Sequence, residues 1–182
     1  MRFILVVHCE TDWNQAKRFQ GHTDIPLNDD GRSQARELAQ KLQADSLQPT
    51  VVLTSTLSRA RETGEIIAGY FNLTIKSDER LRECCFGKLE GLTRDEIFKQ
   101  HGEFSLTYLQ YDLRRFAGEN REDVLARHLD FIKEFSERHP KETPLLVGHR
   151  RGFNTLLGGL GFDVVNNPLA RGEYRIVDYQ AV

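Results

Sequence analysis

The chain predicts an α/β fold, a three-layer αβα sandwich around a mostly parallel sheet. Three observations carry this. Short, continuous apolar runs recur at Phe3–Val7, Val51–Leu53 and Leu145–Val147, as in strands buried on both faces. Helical periodicity separates them. The two patterns alternate along the chain, which is the signature of helices covering both faces of a sheet.

Phe3–Val7 is the first strand. Asn28 is placed to cap a helix whose buried face is Ala35, Leu38, Ala39 and Leu42. After Val51–Leu53, Thr56 or Ser58 opens a helix through Ala60, Thr63, Ile66, Ile67 and Phe71. Leu73–Ile75 is read as a short strand. Residues 87–118 are less regular, with an amphipathic piece around Ile97. Asn120 or Arg121 begins a helix that reaches His139 and stops at Pro140. Leu145–Val147 is followed by Gly148, His149 and a helix to about Leu160, and Tyr174–Tyr179 forms a last strand.

At 182 residues, the length suits one domain, 1–182. With 39% hydrophobic and 29% charged residues and a net charge of −2, the chain reads as globular rather than disordered. The sequence pI near 6.3 offers no basic footprint for nucleic acid. The five-residue apolar start is too short for a signal-peptide core or a membrane span, so no membrane partner is expected. Three cysteines, two of them adjacent (Cys84 and Cys85), do not form a disulfide framework, and a reduced cytoplasmic setting is the default expectation. Buried, inert thiols are the reading for that pair.

Reactive residues fall at strand ends. His8 follows the first apolar run directly, Arg59 lies six residues after Leu53, and His149 lies two after Val147. In open parallel sheets ligands bind at the carboxyl ends of strands, near helix amino ends that favour anions. Strand order decides whether the three converge, and spacing alone leaves that open. His8-Cys9-Glu10 fits the first half of a zinc deaminase signature, but no P-C-x-x-C follows, so no metal site is expected. His8-Cys9 also begins like a cysteine-phosphatase loop, yet Gln15 stands where that loop needs arginine. No phosphate-binding G-x-x-x-x-G-K-[ST] segment is present.

With these set aside, the chain resembles the histidine phosphatase superfamily, the phosphoglycerate-mutase-like family. Val7-His8-Cys9-Glu10-Thr11-Asp12-Trp13-Asn14 resembles its R-H-G-E-T-x-x-N motif. Phe19–Leu27, then Gly31 and Gln34-Ala35, resembles F-Q-G-x-x-D-x-P-L with its G-x-x-Q-A. Ser55–Ala60 is similar to S-x-L-x-R-A. Leu81-Arg82-Glu83, Phe86-Gly87 and Glu90-Gly91 are similar to L-R-E-x-x-F-G-x-x-E-G. Gly118-Glu119 with Arg127 and Val147-Gly148-His149 complete the order.

The resemblance implies that His8 is a nucleophile forming a phosphohistidine and that Glu83 is the proton donor. Arg59 and His149 would hold the phosphoryl oxygens. Asn14, Gln20, Gly21, His22 and Thr23 would line the entrance. No cofactor is implied, and the partner would be a small-molecule phosphomonoester. Members this short resemble α-ribazole-phosphate and broad-range phosphatases. Residues 87–118 leave little chain for a cap, which favours hydrolysis over a mutase. Phe98, Tyr108, Tyr111 and Phe116 would either line an apolar wall or belong to the core. An exposed aromatic there could carry a homodimer contact.

The departures surround the same site. Val7 stands where the family has a phosphoryl-binding arginine, and losing one such donor typically costs about 10²–10³ in rate. Cys9 adds bulk in place of glycine, Arg150 and Arg151 replace two glycines, and Asn154 occupies a position often basic. Two readings compete. Either Arg150 or Arg151 restores the missing charge, or the pocket is degenerate and binds an anion or a partner without turnover.

Overall fold

A computed structural model describes residues 1–180, and positions 181 and 182 of the expected 1–182 unit lie outside the described residues. One five-stranded sheet organises them: β1 (Arg2–Val7), β2 (Val51–Ser55), β3 (Ile75–Asp78), β4 (Pro144–Gly148) and β5 (Tyr174–Asp178). The order is β3-β2-β4-β1-β5, with every pair parallel except β5 against β1. The third strand sits slightly later than the periodicity placed it, because Ile75 rather than Leu73 is the residue registered with Val52.

The pleat divides the core into two layers. Phe3, Leu5, Val7 and Leu146 face α5 (Arg121–Arg138) and α6 (Arg150–Gly159), meeting Phe131, Ile132, Phe153 and Leu157. Ile4, Val6, Val52, Leu145 and Val147 face α2 (Asp29–Ala44) and α3 (Ser58–Phe71). Asn28 and Asn120 cap α2 and α5 through their side chains, as the sequence predicted. The cap residue of α3 is instead Leu57, which has no capping side chain. Thr11 opens a four-residue helix, α1 (Asp12–Gln15), that the periodicity missed.

The segment after Glu83 forms a third, smaller cluster of Phe86, Leu89, Ile97, Tyr111, Leu113 and Phe116, built around the short helix α4 (Arg94–His101). Tyr111 and Phe116 are therefore core. The exposed large hydrophobic residue of this segment is Leu109, 47% exposed, while Phe98, Phe104 and Tyr108 are half-buried. No helix among the described residues is long and apolar enough to cross a membrane.

Candidate active site

Strand register brings the two histidines together. Val7 of β1 pairs with Gly148 of the adjacent parallel β4, so the next residues, His8 and His149, emerge side by side. The His8 amide donates to the Gly148 carbonyl at 3.0 Å, and the rings sit edge to face with centroids 5.2 Å apart. Arg59 enters from the first turn of α3, beyond β2, which flanks β4 on its other side. The convergence that spacing left open is thus settled by strand order.

His8 Nδ1 lies 2.7 Å from the Cys9 carbonyl oxygen. A carbonyl only accepts, so Nδ1 carries the proton and Nε2 bears the lone pair. Burial, reinforced by the Arg59 charge, holds His8 well below the ordinary imidazole value. His149 is depressed in the same way, by burial first and then by the Arg59 and His8 charges. Both rings are neutral near pH 7.

Arg59 is fully buried, and desolvation pulls its guanidinium down to about 10. It donates to the carbonyls of Thr23 (3.0 Å) and Gly21 (2.7 Å). Among the described residues its Nε has no partner, nor has either ring nitrogen of His149. Buried polar atoms are almost always paired. These unpartnered polar groups beside His8 are suited to an anionic ligand.

Glu83 is held by the amino end of α6. Its Oε1 accepts from the amides of Cys84 (2.9 Å) and Gly152 (2.8 Å), and Oε2 from Arg151 (3.2 Å). Both lone pairs of Oε1 are used, so Oε2 retains the one free position for a proton. Gly152 is required here, since a Cβ would sit 2.9 Å from His128 Nε2. Behind Glu83, Arg127 donates to the carbonyls of Arg80, Arg82 and Glu83 and pairs with Glu119. This is what the late Glu119 and Arg127 motif does.

A cavity of 690 Å³ opens over these groups. Val7, His8, Asn14, Gln20, Gly21, Arg59, Glu83, Tyr108, Arg150 and Arg171 all contribute to its wall, and Glu83 is the sole carboxylate against seven cationic side chains. His149 lies against His8 but contributes no cavity surface. His22 and Thr23, expected at the entrance, stand behind the wall. His22 Nε2 is 2.9 Å from the Glu83 carbonyl, and Thr23 gives its amide and hydroxyl to Glu90. Glu90 also takes the His22 and Phe86 amides, making it a brace that the sequence reading left without a role. Of the four aromatics considered for the wall, Tyr108 lines it, while Phe19, Phe86 and Phe104 supply the rest.

The departures from the motif fall at different places in and around the cavity. The Cys9 thiol does not crowd the cavity. It packs among Ile4, Val6, Leu27 and Ala35, and burial pushes it up to about 12. Arg151 neither meets the pocket centre nor points into solvent. It donates to the carbonyls of Leu106 (2.9 Å) and Thr107 (3.2 Å) and lies 4.7 Å from the Tyr111 ring centroid, tying the Leu106-Thr107 stretch to α6. Arg150 is exposed at the cavity rim near Tyr108. The Asn154 amide binds both the NH and the CO of Leu169.

Comparison with known proteins agrees with this geometry. A Bacillus subtilis protein, the uncharacterized phosphatase PhoE, is 32% identical over 153 residues, 84% of this chain and 74% of that one. Phosphoserine phosphatase 1 of Hydrogenobacter thermophilus is 30% identical over 151 residues, covering 82% and 71%. A mycobacterial glucosyl-3-phosphoglycerate phosphatase in complex with VO3 superposes with a TM-score of 0.86 at 26% identity, over 97% of this chain and 90% of that one. Bacillus stearothermophilus YhfR superposes at 0.81 with 30% identity, over 98% and 91%. The histidine phosphatase superfamily (branch 1) pattern matches residues 3–170, and with two neutral histidines, a buried arginine and a helix-held glutamate at the ends of parallel strands, this chain belongs to that superfamily.

Proposed function

We propose that the chain hydrolyses small-molecule phosphomonoesters through a phosphohistidine on His8 Nε2. The observation that carries this reading is the fixed tautomer: Nδ1 is committed to the Cys9 carbonyl, which leaves the Nε2 lone pair for attack. The Nε2–P bond forms as the P–O bond to the leaving group breaks, and Glu83 Oε2 gives that oxygen a proton. Water then attacks phosphorus, losing its proton to Glu83, and the P–N bond returns its electrons to His8. Arg59, on the cavity wall, is a donor for the phosphoryl oxygens as charge builds, and His149 packs against the His8 ring behind it.

Asn14, Gln20 and Gly21 line the wall that receives the leaving group, with Arg150 at the rim. The surplus of cations over the single carboxylate favours leaving groups that are themselves anionic. The 87–118 segment acts as a short cap latched by Arg151, too small to seal a phosphoenzyme from water, which favours hydrolysis over transfer back to a sugar acid.

The test is metal-free hydrolysis of a nitrophenyl phosphate beside an identically prepared His8→Ala protein. Turnover confined to the unaltered chain supports the reading. Equal rates in both overturn it in favour of an anion-binding protein without turnover, the reading that the uncharged Val7 position otherwise invites.

A further inference from the structure

We propose that Arg171 is a phosphoryl-binding residue of this site, supplying from the turn before β5 the cation that Val7 does not supply from β1. This rests on the hydrolytic reading above and deepens it. Arg171 lines the same cavity as His8 and Val7. Its charge is close enough to add to the depression of His8 and to be felt by Cys9.

The turn that carries it is fixed at both ends. Upstream, Leu169 is bound through both its amide and its carbonyl by the buried side chain of Asn154. Downstream, Val7 donates to the Glu173 carbonyl and accepts from the Gly172 amide. Between these anchors, Glu173 NH reaches the Ala170 carbonyl at 3.3 Å and Gly172 adopts a φ of +69°, a four-residue turn that needs glycine at its third position. Arg171 stands at the second position, beside the end of β1.

Three other arginines on the wall, Arg59, Arg151 and Arg18, are committed, while Arg94 and Arg150 lie over the rings of Phe98 and Tyr108. Arg59 and Arg151 each spend donors on two backbone carbonyls, and Arg18 holds the Gly91 carbonyl and Glu96. Among the described residues Arg171 makes one polar contact, Nη2 to Glu10 Oε2 at 3.2 Å, and its side chain remains 36% exposed. The Glu10 backbone is anchored, its amide donating to the Gln34 side chain and its carbonyl accepting from the Asn28 amide. The guanidinium thus stands at the cavity wall with one Nη2 proton left beside its Nε and Nη1 donors, and Nη2 together with either neighbour forms the two-pronged edge that suits two oxygens of one phosphoryl group.

The experiment compares the unaltered chain with Arg171→Ala, Arg171→Lys and the double variant V7R/R171A. Two readouts are used: calorimetric affinity for inorganic phosphate, and kcat/KM for a nitrophenyl phosphate. Arg171→Ala is expected to lose about 10²–10³ in kcat/KM and to weaken phosphate binding, with lysine recovering part of both. The double variant is expected to recover them too, because an arginine at position 7 would reach the same oxygens. Unchanged phosphate affinity and unchanged kcat/KM in Arg171→Ala would overturn the proposal while leaving His8-dependent hydrolysis intact. If the unaltered chain showed no His8-dependent turnover, the hydrolytic reading would fail and phosphate affinity alone would decide the role of Arg171.

Discussion

Replacing Glu83 with glutamine separates its two jobs. The glutamine carbonyl can take the place of Oε1 and accept from Cys84 and Gly152, but its amide group then faces the Arg151 N–H, donor against donor. One hydrogen bond to a charged acceptor is lost in a buried setting, worth about 1.5–3 kcal/mol. For a chain of this size that lowers Tm by about 3–12 °C. The chemical consequence is separate, because glutamine cannot release a proton to the leaving oxygen. An alkyl phosphate, whose alkoxide leaves poorly, should lose about 10²–10⁴ in the phosphorylation step. A nitrophenyl phosphate, whose phenolate needs no proton, should lose far less in that step, and its phosphoenzyme should accumulate because water has lost its base. Rapid-quench single-turnover measurements with both esters read this directly. An equal fall for the two esters would refute proton donation by Glu83 and reduce it to a clamp on α6.

Further outcomes follow from the packing and charge of the fold. The buried rings of His8, His128 and His149 are all held below the ordinary imidazole value, His128 at about 3. Below about pH 6.5 the unfolded chain binds protons that the folded chain refuses, so stability falls as pH falls, by about 1.4 kcal/mol per unit for each ring. Urea midpoints across this range should show that slope, and His128→Asn should flatten it by one ring's share. Gly152→Ala places a methyl group 2.9 Å from His128 Nε2 and should cost about 1–3 kcal/mol by urea unfolding. Gly69→Ala, in α3 with nothing within 4 Å, should instead gain about 0.5–1 kcal/mol. Arg151→Met removes the donors to Leu106 and Thr107, so amide exchange across residues 104–108 should quicken and KM should rise more than kcat falls.

What the sequence made legible was local. Asn28 and Asn120 announced their helices because capping chemistry acts within four residues. The apolar runs announced β1, β2 and β4 because strands buried on both faces leave no polar alternation. Positions of His8, Arg59 and His149 at strand ends were readable, but their meeting depended on β4 inserting between β1 and β2. Four-residue α1 escaped notice because so short a helix has no periodicity, only the reciprocal bonds between Thr11 and Asn14. Arg171 lies 163 positions from His8 and reaches it through a turn whose geometry is set by Asn154 and the Val7 backbone. Arg150 and Arg151 were singled out because they adjoin His149 in sequence. On a helix, though, adjacent residues diverge, and one reaches the rim while the other holds the Leu106 and Thr107 carbonyls.

The central claim is a phosphoryl group on His8 Nε2, and trapping it is the most direct measurement. The chain is mixed with a radiolabelled aryl phosphate, quenched in alkali within one turnover, and digested to locate the label. A phosphoramidate that survives alkali, is lost in acid, maps to the peptide bearing His8 and is absent from His8→Ala is the predicted result. Turnover that proceeds with no label on that peptide, in both the unaltered chain and Glu83→Gln, would contradict it.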